Sequence, residues 1–163
     1  MGGSSCLSTT RFVRTKCLSD RPQRTIGGAV MEFRTEQMDR LAHAVFIEKL
    51  DTAFSRDLPD FKGIDRGERY EFLSLAIAFA ETKGLKSEQG LASYALALWY
   101  LCVDFEARSK ELEALLENSY PEVRKVHAMN EWVEAVMGDP NDITLADKAM
   151  KRALELTEAW GTQ

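Results

Sequence analysis

Apolar residues recur every three or four positions along most of the chain beyond its first thirty residues, and no stretch of useful length alternates as a β-strand would. This spacing is that of amphipathic helices. It predicts an all-α, single-domain bundle of about six helices over residues 31–163, preceded by a disordered tail over residues 1–30. The first helix starts at Thr35 and ends before a loop over residues 58–64. Its predicted inward residues are Met38, Leu41, Ala42, Val45, Phe46, Leu50, Ala53 and Phe54.

Capping patterns predict the ends of the next helices. Asp65 and Glu68 have the spacing of a capping box and Gly84 has the place of a C′ residue, so the second helix lies between them. Its inward residues are Tyr70, Leu73, Ala76, Ile77 and Ala80, with Phe72, Leu75 and Phe79 widening that face. Ser87 caps the third helix. The fourth helix covers residues 105–120 and turns inward Leu112, Leu115 and Leu116.

Two further capping boxes are predicted toward the C-terminus. Ser119 and Glu122 start the fifth helix, with Pro121 at its first position, where a missing N–H costs nothing. Thr144 and Asp147 start the sixth helix in the same way. The residues that this last helix is expected to bury are Leu145, Ala149, Ala153, Leu156 and Trp160.

The third helix carries no charged residue from Leu91 to Val103. A helix that is apolar nearly all round belongs at the centre of a bundle. Thirteen uncharged residues are too few for a bilayer, which needs about 20. The sequence therefore predicts a buried central helix and no membrane anchor.

Three aromatic residues are the predicted contacts with a protein partner: Trp99, Tyr100 and Trp132. Because Trp99 and Tyr100 are neighbours, they cannot both face the same core centre, so one is expected on an exposed apolar patch or a dimer interface. The alternative is a bundle that encloses this helix completely.

The first thirty residues differ from the rest in being rich in Ser, Gly and Arg and poor in acids. Such a composition is typical of an organelle transit peptide, although no amphipathic helix runs through it. A second interpretation is an upstream start, with Met31 the true first residue because a well-formed helix start follows it.

Charge and cysteine usage narrow the class of partner. The 163-residue chain has a net charge of -5; residues 1–30 carry +4, so the remainder carries -9. An acidic domain repels phosphate, which argues against nucleic acid as a partner. Outside the first segment the single thiol is Cys102, expected to be buried and reduced, so no disulfide framework is predicted. This usage points to a reducing, cytoplasmic location.

Residue chemistry offers little for catalysis. His43 is expected at the surface and His127 in a partly buried structural position, and neither has the spacing of a metal ligand set. No cofactor, no metal and no enzymatic activity are predicted. Asp104 is the carboxylate that could act as a buried general acid, and its alternative role is an N-cap for the following helix.

Several segments resemble those of a known group of proteins. They are Ala80–Leu91 (AETKGLKSEQGL), Tyr100–Phe105 (YLCVDF), Pro121–Trp132 and the opening Phe33–Met38 (FRTEQM). The pattern is similar to that of small all-helical bacterial proteins encoded in type VI secretion islands beside spike proteins, effectors and adaptors. The chain departs from it at Cys102, where that group has Gly.

This resemblance implies a cytoplasmic accessory protein, an adaptor or co-chaperone, that holds an effector or its chaperone before export. An immunity protein that neutralises a cognate toxin is a rival hypothesis within binding proteins, since an acidic surface suits a basic nuclease. Two hypotheses of different classes are a small helical enzyme that uses Asp104 or Glu81, and a homodimer formed through Trp99 or Tyr100.

Overall fold

The computed structural model describes residues 35–158, which contain helices and turns and no strand. The predictions about residues 1–30 and about Trp160 lie outside the described residues. The helices are α1 (Thr35–Asp57), α2 (Pro59–Lys62), α3 (Arg66–Thr82), α4 (Glu88–Leu101), α5 (Lys110–Glu117), α6 (Glu122–Gly138) and α7 (Ile143–Glu158), with a 3-10 turn at Glu106–Arg108. They belong to one compact unit, which confirms the all-α single-domain prediction.

The long helices form a row in which α1 packs on α3, α3 on α4, α4 on α6, and α6 on α7. The short helix α5 packs against both α6 and α7. Helix α4 therefore lies in the middle, as the uncharged stretch predicts, and its inward residues are buried: Leu91, Tyr94, Ala95, Ala97 and Leu98. Its outward residues remain exposed, so the alternative of a completely enclosed helix is wrong.

The end of α3 follows the predicted glycine signal. Gly84 has φ +78, the left-handed region in which a side chain is strained. The N–H of Leu85 donates to the carbonyl of Ala80 at 3.1 Å, and the N–H of Gly84 donates to that of Glu81 at 3.0 Å. This pair of bonds is a Schellman motif, which satisfies carbonyls at the helix end.

The predicted loop over residues 58–64 contains a helical turn instead. Pro59 opens α2 because its fixed φ suits the first helical position, and the ring of Phe61 in this turn is fully buried. Asp65 then caps α3 as predicted, with its Oδ1 accepting the N–H of Gly67 at 2.7 Å.

The predicted helix over residues 105–120 is divided in the structure. Cys102 ends α4 with φ 70, a conformation that favours glycine, and its thiol is exposed rather than buried. The 3-10 turn follows, and Ser109 starts α5 with its Oγ accepting the N–H groups of Glu111 and Leu112, both at 3.2 Å. The inward leucines of α5 are buried as predicted.

The beginning of α6 corrects another capping prediction. Pro121 is the N-cap, no side chain caps this end, and Ser119 has no part in it. Glu122 reaches the start of α4 instead: its Oε1 accepts the N–H groups of Lys86 and Ser87 at 3.0 and 2.8 Å and the Ser87 hydroxyl at 2.6 Å. Ser87 in turn caps α4 as predicted, because its Oγ accepts the N–H of Gly90 at 3.0 Å.

Lys125, three residues after Glu122, binds the C-terminal ends of two other helices. Its Nζ donates to the carbonyls of Lys83 and Leu116, at 3.0 and 2.7 Å, which lie at the C-terminal ends of α3 and α5. Burial lowers the pKa of this ammonium group, and the charge of Glu122 opposes that decrease. The first turn of α6 thus joins three other helices.

Helix α7 is rotated relative to the prediction. Its buried residues are Ala146, Met150, Ala153 and Thr157. The carboxylate of Asp147, predicted to complete a capping box with Thr144, accepts instead the Ser109 hydroxyl at 2.6 Å and the indole N–H of Trp132 at 2.9 Å. These bonds fix the rotation of the helix, so Leu145 and Leu156 lie on its exposed side, 51% and 58% exposed.

The first half of α1 also differs from the prediction. Its inner residues from Phe46 onward are buried, whereas Met38, Leu41 and Val45 are about half exposed. The second half of α1 is tied to the start of α3, because Asp51 pairs with Arg69 at 2.6 Å. Residues 39–46 instead line an open groove together with residues at the end of α3 and the start of α4.

Candidate interaction surface

The outward sides of α3 and α4 share a set of exposed apolar residues, called here the α3/α4 face: Leu75, Phe79, Leu96, Tyr100 and Val103. Their side chains are between 37% and 58% exposed. Leu75 and Phe79 are four positions apart on α3, and Leu96 and Tyr100 are four positions apart on α4, so each pair lies along one side of its helix. Val103 lies in the turn that follows α4. The sequence pattern predicts Leu75 and Phe79 in the core and does not single out Leu96 or Val103.

An aromatic cluster lies beneath this face and joins the two helices. The rings of Phe72 on α3 and Trp99 on α4 meet edge to face with centroids 5.5 Å apart, and Phe61 of α2 contacts both, at 6.1 and 5.0 Å. Trp99 is therefore half-buried, whereas its neighbour Tyr100 is 44% exposed. The two aromatics divide between core and surface, as their adjacency in the sequence requires.

Trp132 does not lie on any surface. Its side chain is fully buried on α6, and its indole N–H donates to Asp147 of α7. A partner cannot contact this ring, so its predicted role in protein binding is wrong. The physical reason is that α6 packs against both α5 and α7, which leaves no free side at that position.

Carboxylates border one end of the α3/α4 face. Glu68 and Glu71 are exposed and lie seven and four positions before Leu75 on the same side of α3, and the exposed Asp104 follows Val103. None of the three carboxylates forms an ion pair within residues 35–158. The apolar face therefore has a negatively charged end.

A buried polar cluster between α3 and α4 is the strongest candidate for catalytic chemistry. Lys83 pairs with Glu106 at 2.5 Å, and the Tyr94 hydroxyl donates to the other oxygen of the same carboxylate. Burial raises the pKa of Tyr94, and the hydrogen bond and charge of Glu106 raise it further, so the phenol stays protonated. Every group in the cluster has a partner, and the cluster holds the 3-10 turn against α3 and α4.

The remaining candidate chemical residues lie apart from one another. Asp104 is exposed, so the burial that the general-acid hypothesis required is absent, and Phe105 rather than Asp104 precedes the 3-10 turn as its cap residue. His43 is exposed and His127 is half-buried, both as predicted. Among residues 35–158 no three His, Cys, Asp or Glu side chains are grouped so as to hold a metal ion.

Comparisons with protein families, with curated proteins and with solved structures find no match for this chain. In the described part of the chain, no helix has both the length and the apolar character needed to cross a membrane. The candidate site that the structure offers is therefore a surface, the α3/α4 face.

Proposed function

We propose that this protein is a non-enzymatic accessory, an adaptor or co-chaperone, that binds an effector of a type VI secretion system or that effector's chaperone. The α3/α4 face is the observation that carries this proposal. Contiguous exposed apolar residues on a folded domain mark interaction sites, because leaving them in water is unfavourable. The aromatic cluster beneath holds the two helices in a fixed relation, which presents the face as a preformed surface.

The charge at the edge of this face favours a protein partner with a basic border. Glu68, Glu71 and Asp104 would steer such a partner and would repel nucleic acid or an anionic membrane. A second copy docked with its α3 and α4 parallel to those of the first would bring the like-charged ends together, so the charge disfavours that form of homodimer. The resemblance of residues 80–91 and 100–105 to accessory proteins of secretion islands supplies the biological context.

Co-purification with defined partners tests the proposal. The full chain is co-expressed with the product of each neighbouring effector, spike or chaperone gene, and the complexes are isolated and weighed by light scattering. Leu96→Glu and Tyr100→Glu place a carboxylate on the α3/α4 face, and each is expected to reduce recovery of the partner at least tenfold. Val123→Glu, on α6 at a position 69% exposed, is the matched control and should leave recovery unchanged.

Three results would refute this function. Unchanged recovery with Leu96→Glu and Tyr100→Glu, in variants whose circular dichroism matches the wild type, would exclude the face. Binding to a toxin catalytic domain with loss of its toxicity would identify an immunity protein instead. A chain that elutes as a dimer, and as a monomer after Tyr100→Glu, would show that the face serves self-association.

A further inference from the structure

A second apolar surface lies on the other hairpin of the row, between α6 and α7. A groove of about 530 Å³ opens there, and the residues that line it are His127, Glu131, Leu145, Lys148, Ala149, Arg152, Ala153 and Leu156. Its size is within the range of about 300–1,000 Å³ that is typical of ligand-binding clefts. It shares no residue with the α3/α4 face, so an inference about it is independent of the function proposed above.

The wall that α7 contributes combines leucines with cations. Leu145 and Leu156 are more than half exposed, and Ala149 lies between them on the same side of the helix. Lys148 and Arg152 follow Leu145 at three and seven positions, which places them on that side as well. The distance along the helix from Leu145 to Leu156 is about 16 Å, or roughly three turns.

Both cations in the groove lack an ion-pair partner among residues 35–158. The side chains of Lys148 and Arg152 form no ion pair or hydrogen bond with other residues of the described segment 35–158, whereas Lys151 on the next turn pairs with Glu111 at 3.1 Å. Glu131 on the opposite wall forms no ion pair there either. The groove therefore has two cations against the one carboxylate of Glu131, which gives it a net positive charge on a chain whose net charge is -5.

We infer that this groove binds an acidic amphipathic helix of a partner protein. Such a helix would place apolar residues at i, i+4, i+7 and i+11 over Leu145, Ala149 and Leu156, and carboxylates beside Lys148 and Arg152. A groove between two helices is a known receptor for such an apolar stripe, and opposite charges on the two surfaces set the orientation of the bound helix.

The charges argue against a second copy or a membrane as the occupant. In a two-fold contact through α7, Lys148 of one copy would face Arg152 of the other, and like charges repel. An anionic membrane would be attracted by these two cations but repelled by the acidic remainder of the domain. An acidic helix avoids both problems because it meets the positive groove alone.

Two synthetic 18-residue helical peptides test the inference against the full chain. Both carry Leu at i, i+4, i+7 and i+11; one has Glu and the other Lys at the flanking positions. Chemical-shift mapping by NMR measures where each peptide binds, and titration measures its affinity. The Glu peptide is expected to shift the amide signals of α6 and α7, and the Lys peptide to bind at least tenfold more weakly.

Charge reversal in the groove supplies the decisive comparison. The double variant Lys148→Glu/Arg152→Glu should lose at least tenfold in affinity for the Glu peptide and gain affinity for the Lys peptide. Lys110→Glu, an equal change per residue at the exposed start of α5, should leave both affinities unchanged.

Three results of the peptide experiment would overturn the inference. They are no binding of the Glu peptide at concentrations up to about 1 mM, equal binding of the two peptides, and chemical-shift changes confined to the α3/α4 face. A dimer that dissociates on Leu145→Glu would show a second copy in the groove. Binding to vesicles with phosphatidylserine that depends on Lys148 and Arg152, without peptide binding, would show a membrane contact.

Discussion

Gly90→Ala should destabilise this protein, although the same change in most helices stabilises them. Gly90 lies in the first turn of α4, where alanine would ordinarily contribute up to about 1 kcal/mol relative to glycine. Here the added Cβ would overlap Glu122 Oε1 and would lie 3.2 Å from Ser87 Oγ and from Val126 Cγ2. Glu122 must therefore withdraw from the start of α4.

The magnitude follows from the bonds that Glu122 loses. It gives up three hydrogen bonds, from two backbone N–H groups and one hydroxyl, and a single hydrogen bond to a charged group contributes about 1.5–3 kcal/mol. The Glu122 carboxylate is only half-buried. After it withdraws, water can form hydrogen bonds with the carboxylate and with the groups that it leaves, which reduces the net loss to about 2–3 kcal/mol. After the gain in helix propensity, Gly90→Ala should lower the free energy of unfolding by about 1–2 kcal/mol.

A double-mutant cycle with Glu122→Ala isolates this cause. Without the carboxylate the overlap is gone, and Gly90→Ala should then show its gain in helix propensity, up to about 1 kcal/mol, in that background. The two changes should therefore show a coupling of about 2–3 kcal/mol, well above the roughly 0.3–0.5 kcal/mol expected of independent sites. Gly138→Ala is the matched control because a Cβ there meets nothing within 4 Å, and it should not destabilise the fold.

Urea denaturation followed by circular dichroism measures these differences. With a denaturant slope of about 1–3 kcal/mol per M, the midpoint of Gly90→Ala should fall by roughly 0.5–1 M. A midpoint above that of the wild type, or a cost that is the same with and without Glu122, would refute the reasoning that the missing Cβ makes room for this carboxylate.

Three further predictions concern buried and capping groups. Burial raises the pKa of Glu122, but the hydrogen bonds from Ser87 and Lys86 outweigh burial and hold the pKa below its usual value. The stability that Glu122 contributes is therefore present above about pH 4.5 and is lost as the pH falls through the lower pKa of the folded state. Glu122→Gln should flatten the pH dependence of the urea midpoint in that acid range, and an unchanged slope would contradict this. Trp132→Phe removes the hydrogen-bond donor to Asp147 and leaves a void, and it should lower the free energy of unfolding, measured by urea denaturation, by about 2–4 kcal/mol. Trp99→Phe changes a half-buried ring and should cost less. The reverse order would show that the indole hydrogen bond is unimportant. Gly84→Ala should lower the unfolding free energy by about 1–2 kcal/mol because of its positive φ, and Gly84→Asn by less, so equal costs in thermal or urea unfolding would argue against backbone strain as the cause.

The sequence predicts those features of the fold that depend on neighbours along the chain. Asp65, Ser87 and Gly84 act within a few residues of themselves, and each has the predicted role. Glu122 lies three residues after Ser119 and so matches a capping box, but its partners are at Lys86 and Ser87, about 35 residues away. No local pattern contains that information.

Surface exposure is harder to predict for a related reason. Helix α7 has two apolar stripes of similar quality, and the bonds of Asp147 to Ser109 and Trp132 decide which of them faces inward. On α3 and α4 the pattern identifies apolar sides but does not tell which side a neighbouring helix covers. The exposure of Tyr100 could be predicted because two adjacent aromatic residues on a helix cannot both face the core. The exposure of Leu75 and Phe79 and the complete burial of Trp132 have no comparable signal in the sequence.

The first turn of α6 has a consequence for the order of folding. Glu122 supplies a negative charge to the N-terminal end of α4, and Lys125 supplies a positive charge to the C-terminal ends of α3 and α5, each matching the helix dipole that it meets. During synthesis the hairpin of α3 and α4 therefore leaves the ribosome before Glu122 and Lys125, which bind the turn between these helices, have been added to the chain. A nascent chain that ends before residue 121 should hold this hairpin only loosely, and arrival of a single turn of α6 should make the folding of both halves one cooperative event.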